Sequence, residues 1–389
     1  MTEQAASSAV HQPEPATKSA GAPAPQQVTK PKGTPDSARI TPKAFLMNVL
    51  NGLAIGTVVS LIPGALLGSL LTAIQSHVPG AHAILMATQV CNSLMGVVIG
   101  VMIGTAFKFT PIQTASLGLA VMIGGGAFAG PGTGDAAKAL MFKGTGDIIN
   151  MGLVGALAAG LILLIGKKAR AFTILVIPLV SVAVAGGIGL LTLPYVKRVT
   201  QLIGLAVAHM TSLQPILMVV LLAMVFSLMI VSPVTTVGIA LAISLSGIGS
   251  GAANIGICVA GFGLTIAGWK VNSMGTSIAH CVGSPKISMA NVMTKPKIAL
   301  PIVCAAAISG LSAYFFHIEG TPMSAGFGFS GMIGPINFLS TAPGGWNASN
   351  LLVAALAFVI IPCVTSAAFI ALFTKLGVIQ KEDYFVAVE

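Results

Sequence analysis

About ten apolar runs, most of them close to the length a helix needs to cross a bilayer, constrain this chain more than any other feature. They cover roughly 44–75, 83–106, 112–130, 148–166, 172–194, 215–231, 234–249, 251–268, 299–316 and 350–373. A helix needs about 20 apolar residues to cross a hydrocarbon core roughly 30 Å thick. Backbone groups in that core find no water, so a crossing chain must bond them internally. Runs this long read as helices, and the fold class is an all-α polytopic membrane protein with about ten transmembrane helices. Composition agrees: 55% of residues are hydrophobic and 7% charged, against about a quarter charged in water-soluble domains.

The formal net charge of +10 could point to nucleic acid, but its placement excludes that partner. Lys30, Lys32, Arg39 and Lys43 precede the first run, Lys167, Lys168 and Arg170 occupy a short loop, and Lys375 and Lys381 follow the last run. Cationic residues flanking spans mark cytoplasmic loops, so both termini are expected in the cytoplasm, with membrane lipids around the spans. Residues 1–43, rich in Ala, Pro, Gln, Ser and Thr, read as a disordered cytoplasmic tail, since they carry too little apolar surface to offset chain entropy. No apolar signal-peptide core lies in the first 30 residues.

Within the runs, small residues recur at four-residue spacing: Gly52 and Gly56, Gly64 and Gly68, then Gly96, Gly100 and Gly104. Such stripes let helices approach closely, and Pro63 is expected to kink or break the first helix. The stretch 195–212, which mixes Lys197, Arg198 and His209 with apolar residues, reads as an interfacial amphipathic helix. Gly-rich "GGGAFAGPGTGDAAKALMFKGTGD", with Asp135, Lys138, Lys143 and Asp147, lacks the Walker order and reads as a plain connection. Gly326, Gly328 and Gly331 spell G-x-G-x-x-G, but a dinucleotide site requires a preceding strand in a soluble βαβ unit; a broken, re-entrant segment fits better. The five cysteines are scattered and read as small core side chains. No nucleotide, haem, iron–sulfur or zinc pattern occurs, so no cofactor, metal or catalytic residue is expected. No Asp or Glu falls inside a run; Glu319 sits just past the end of one. Carriers coupled to protons or sodium commonly bury a carboxylate, so that absence weighs against a symporter.

"WKVNSMGTSIAHCVGSPKISMANVMTKPKI", residues 269–298, is the polar exception. It is too polar to face lipid and reads as a helical hairpin whose tip meets a water-accessible site. Its candidate ligands are Asn272, Ser273, Thr276, Ser277 and His280; Thr276 and His280 share a helix face at four-residue spacing. Asn254, in a second Gly-rich break, joins them. Neutral donors and acceptors suit a polyhydroxylated solute such as a sugar. The alternative is that His280 and the hydroxyls bond backbone carbonyls between helices. Lys286, Lys295 and Lys297 read as interface anchors.

"GTSIAHCVGSPKISMANVMTKPKIALPIVCAAAISG", followed by "GTPMSAGFGFSGMIGPI" and preceded far upstream by "GLAIGTVVSLIPGALLG", resembles the membrane subunit IIC of bacterial phosphotransferase systems. The nearest likeness is the divergent branch that includes membrane toxin regulators. The resemblance covers roughly 44–375 and implies a homodimer with a scaffold over 44–200 and a transport domain over 201–375. That second domain would carry re-entrant hairpins and move like an elevator, and 376–389 would be a cytoplasmic tail. It also implies separate IIA and IIB phosphocarrier partners, because no soluble domain is fused. Glucose-type members carry a Gly-Ile-Thr-Glu-Pro tip whose glutamate binds sugar; here "NSMGTSIAHCVGSP" has no glutamate, leaving Thr276 and His280 as polar substitutes. The expected function is a sugar permease. Two other readings stay open: a sensor or regulator that keeps the fold without transport, and a carrier independent of phosphotransfer.

Overall fold

A computed structural model describes residues 40–75, 77–129, 141–142, 144–169 and 172–386. The tail expected over 1–43 lies outside the described residues up to residue 39, as do residues 130–140 of the Gly-rich connection. The described chain is helical apart from one antiparallel pair of two-residue strands, β1 (Phe128–Ala129) and β2 (Met141–Phe142).

The first half holds α1 (Pro42–Ile74), α2 (Ala81–Ser93), α3 (Met95–Ala106), α4 (Pro111–Gly124) and α5 (Ile148–Ala169). Thr41 starts α1 by accepting the Ala44 amide, with Pro42 in the first turn, where its missing N–H has no helical partner to lose. Pro63 sits inside α1 without ending it. The glycine stripes act as expected. A Cβ on Gly52 or Gly56 would lie 2.5 Å from the Cα of Ile103 or Ile99 on α3, and one on Gly100 would lie 2.5 Å from the Gly118 Cα on α4. These three helices therefore touch backbone to backbone, which only a side chain of hydrogen permits. Gly68 meets nothing, so its spacing carries no packing.

The interfacial helix expected over 195–212 is instead the continuation of a span. The chain runs from α6 (Thr173–Val180) through a π-helical turn at Ser181–Gly186 into α7 (Gly187–Met210), giving a continuous 38-residue apolar helix in which few residues are buried. Leu175, Leu179 and Leu191 point outward. Lys197 and Arg198 interrupt the hydropathy without interrupting the backbone, because long cationic side chains reach polar surroundings from an apolar helix.

The second half contains α8 (Pro215–Met229), α9 (Thr236–Ala242), α10 (Gly247–Gly268), α11 (Met274–Val282), α12 (Met289–Thr294), α13 (Leu300–Phe315), α14 (Ile333–Thr341), α15 (Ala348–Ala355) and α16 (Ile361–Lys375). Its axis is α10, most of whose residues are buried, packed on α8, α13 and α16. The approach is again paid in glycine: a Cβ on Gly256 would strike the Ala223 carbonyl and one on Gly251 the Ile318 carbonyl. Two apolar cores result, one from Val49 to Ala185 with Met289 added, the other from Val207 to Tyr384.

Six described helices are long and apolar enough to cross a membrane, or seven if the α2–α3 pair, bent by 53°, is one span; α4 and α8 are shorter apolar helices. The difference from ten has local causes. The run 112–130 stops being helical at Gly125 and Gly126, the latter at φ 67°, and the run 234–249 yields only the seven-residue α9 before Ser244 at φ 52°. The segment 321–329 forms successive turns rather than a helix. No strand precedes Gly326–Gly331 among the described residues, so the glycine pattern there serves turns, with Gly328 and Gly331 both near φ 60°.

Candidate functional site

Breaks in helices leave backbone and short polar side chains at depth, and here four breaks converge on one cavity of about 1240 Å³. The bend between α2 and α3 presents Gln89, Asn92 and Ser93; the start of α9 presents Thr235 and Thr236; the turn after α11 presents Gly283, Ser284 and Lys286; and the Gly-rich turns present Gly326 and Ser330. The first half closes the other wall with α1 and with Asp147, Lys197 and Thr200. Both apolar cores thus contribute to the lining.

Local chemistry fixes these groups. The Thr236 hydroxyl donates to the Gly326 carbonyl at 2.9 Å and ties two breaks together. Asp147 opens α5: one carboxylate oxygen accepts the Asn150 amide at 2.9 Å, the other accepts the Thr200 hydroxyl at 3.2 Å. Asn150 in turn donates to the carbonyls of Gly124 and Gly189, holding α4, α5 and α7 together. The Asn92 Oδ1 is buried with no hydrogen-bond partner among the described residues. Lys286 is 2% exposed, and its ammonium donates to the carbonyls of Ser232 and Val234, just past the end of α8.

None of the six residues expected at the site lines this cavity. Asn272 clamps the chain terminus, donating to the Tyr384 carbonyl at 2.9 Å and accepting the Val386 amide at 2.8 Å. Ser273 caps α11 through the Thr276 amide, and its hydroxyl meets the Thr276 hydroxyl. Thr276 borders a separate hollow of about 260 Å³ against Ile55, Val58 and Val59. His280, 1% exposed, has both ring nitrogens bonded, Nδ1 to the Thr276 carbonyl at 2.8 Å and Nε2 to the Ser288 hydroxyl at 2.7 Å. Ser277 is fully buried, its hydroxyl without a described partner and its carbonyl accepting from Thr265. Asn254 accepts the Gly328 amide at 3.0 Å and stabilises the Gly-rich turn behind the cavity wall. The helical spacing of Thr276 and His280 holds, but its product is a ring-to-carbonyl bond inside the protein.

The polar segment has a second task. Residues 378–386, expected as part of a free tail, fold back over it as a strap with Ile379, Tyr384 and Val386 buried. Lys295 and Lys297 both pair with Asp383, at 3.0 and 2.9 Å. The Asn291 amide donates to the Phe385 carbonyl and the Tyr384 hydroxyl to the Ile298 carbonyl. Burial opposes ionisation of Asp383, yet hydrogen bonds from Lys297, Lys295 and the Gln380 amide outweigh it and hold the carboxyl at about 2. Burial, and then the neighbouring Asp383 charge, pushes the Tyr384 phenol up. Of the three lysines expected as interface anchors, two are ion-paired to this strap, and Lys286 is a buried cavity-wall group instead.

The sequence offered one neglected signal for the cavity: "QVCNS" places Gln89, Asn92 and Ser93 inside an apolar run. Nothing in the sequence separates Lys286 from Lys295 and Lys297.

Fold and cavity together describe a multi-span helical membrane protein with one large cleft lined from both apolar cores. The chain belongs to the EIIC family of phosphotransferase systems, whose family model matches residues 47–386. It is accordingly a sugar-transport component of the cell membrane. No curated protein sequence matches it.

Proposed function

We propose that this protein is a sugar permease of the cytoplasmic membrane, and that the cavity of about 1240 Å³ is its solute compartment. The observation that carries the reading is the convergence of four helix breaks on one cavity, which brings short polar side chains together with Lys286, Lys197 and Asp147. Discontinuous helices supply solute sites in transporters because their unpaired backbone groups and short side chains face water there. The volume exceeds the usual 300–1,000 Å³ of small-molecule sites, leaving room for a sugar and its water.

In this reading residues 44–200 form the scaffold of a homodimer and 201–375 the moving transport domain. The division is supported by the two apolar cores, which part near residue 200. Movement is of the elevator type, both termini lie in the cytoplasm, and separate IIA and IIB proteins deliver any phosphate. Asn272, Ser273, Thr276, Ser277, His280 and Asn254 support the site from behind: His280 bonds Ser288 after the Gly283–Lys286 turn and Asn254 holds the Gly328 amide, while the other four fix α11 and its neighbours.

A thermal-shift series on the detergent-purified protein, using free sugars, sugar acids and sugar phosphates, tests the reading. A ligand at a hundredfold excess over its dissociation constant adds about 2.7 kcal/mol to the stability of the folded state. A shift with any member of the series supports a sugar site; none with any member rejects it. The missing tip glutamate favours one second reading, a sensor, which predicts the same shift without uptake into vesicles.

A further inference from the structure

The charges of the described cavity lining do not balance. Among the described lining residues the ionisable groups are Lys286, Lys197 and Asp147, and two lysines against one carboxylate leave a positive excess. Asp147 is committed elsewhere, to the Asn150 amide and the Thr200 hydroxyl. Among the described residues the only ion pairs are those of Lys295 and Lys297 with Asp383, so neither cavity lysine has a carboxylate within 4.0 Å.

Lys286 is the more telling of the two, because it is buried. Its amine donates to the carbonyls of Ser232 and Val234; burial pushes its pKa down to about 7, so an anion beside it is what would hold the third proton in place. Burying a charge without a counter-charge costs several kcal/mol, and ionisable groups in membrane proteins are kept where they act. Capping two carbonyls needs a donor and not a full charge, so a glutamine would serve a cap. The same cavity is lined by groups that suit a sugar, Ser284, Thr235, Ser330 and Asn92 among them, and the Asn92 Oδ1 lacks a described partner.

We propose that the solute of this cavity is an acidic sugar, and that its anionic oxygens, a carboxylate or a phosphate, dock on Lys286. The inference rests on the reading of the cavity as the sugar compartment and names the substrate class within it. The anion completes the lysine's hydrogen bonds and supplies the counter-charge, while Asn92, Ser284, Thr235 and Ser330 recognise the hydroxyls. Lys197, exposed on α7, adds attraction at the cavity's edge.

The test is equilibrium binding to the purified full-length protein of matched pairs: glucose with glucuronate, galactose with galacturonate, and glucose with glucose 6-phosphate. An anionic member should bind at least about tenfold more tightly than its neutral partner, the range of a desolvated charge pair of 1.4 kcal/mol or more. Raising salt from about 0.05 to 0.5 M should narrow the gap only slightly, because buried pairs are weakly screened. Lys286→Gln should bring the two members of each pair to equal affinity, and Lys286→Arg should keep most of the preference; a purely capping lysine predicts that both members weaken together with their ratio kept. A preference for the uronate or for the phosphate supports the proposal and identifies the anion. Neutral members binding as tightly as anionic ones overturn it and leave the sugar-permease reading intact. Absence of binding by every pair removes that reading, and the proposal with it. Should Lys286→Gln fail to fold, the wild-type ratios alone decide.

Discussion

Asp383 is the one carboxylate shared by the strap and the polar segment, so replacing it with asparagine separates the charge from the shape. Lys295 and Lys297 are 47% and 45% exposed, which limits each pair to about 0.5 kcal/mol. The Gln380 amide at 3.0 Å keeps an acceptor in Asp383→Asn but loses its charge assistance, a further loss of about 0.5 kcal/mol. The expected cost to strap closure is thus about 1.5 kcal/mol, or roughly a tenfold shift in the opening equilibrium. Hydrogen exchange of the Val386 amide, which is bonded to Asn272, reads that equilibrium directly and should accelerate about tenfold at low salt, with a smaller difference at high salt. The pH dependence follows from the depressed carboxyl. Its folded value of about 2 lies below the ordinary 3.8, so the contribution is complete above about pH 4 and disappears as pH falls towards 2. Wild-type protection should fall across that window and the variant's should stay flat. Unchanged exchange in Asp383→Asn at low salt would refute the electrostatic clamp and leave the buried Ile379, Tyr384 and Val386 as the strap's support.

Three further outcomes can be checked by thermal unfolding. Gly56→Ala should destabilise by about 1–3 kcal/mol because the new methyl meets the Ile99 backbone, whereas Gly68→Ala, with no neighbour within 4 Å, should be neutral or gain up to about 1 kcal/mol. Asn254→Ala should cost about 1–3 kcal/mol by stripping the Gly328 amide of its acceptor in a buried turn. His280→Ala should cost about 2–4 kcal/mol by leaving Ser288 and the Thr276 carbonyl without partners, with sugar affinity of the folded protein altered less than about threefold; lost affinity at unchanged stability would return His280 to the site.

The membrane class and the close α1–α3–α4 contact were readable from run length and glycine spacing, because both depend on the chain's own periodicity. The irregular chain around Gly326–Gly331 was readable from its glycine and proline content. The site was less legible. Periodicity puts Thr276 and His280 on one face of α11 but does not say what that face meets. In the folded chain it meets Ser288 and its own carbonyls rather than water. Asn272 and Lys295 looked like ligand and anchor because their partners, Tyr384, Val386 and Asp383, lie about ninety to over a hundred residues downstream. Lys286 shows the converse: its two carbonyl acceptors are some fifty residues upstream, and only the fold reveals that it is buried. The α6–α7 helix escaped because a cationic pair breaks a hydropathy run without breaking a helix.

The most direct test of the central claim is sugar uptake into vesicles containing the protein, with and without a tryptophan filling the cavity at Ser93, beside the α2–α3 bend. The account predicts uptake above leak for the wild type and its loss in Ser93→Trp, with both proteins equally monodisperse. Uptake by Ser93→Trp at the wild-type rate would show that solute passes elsewhere and would contradict the assignment of this cavity.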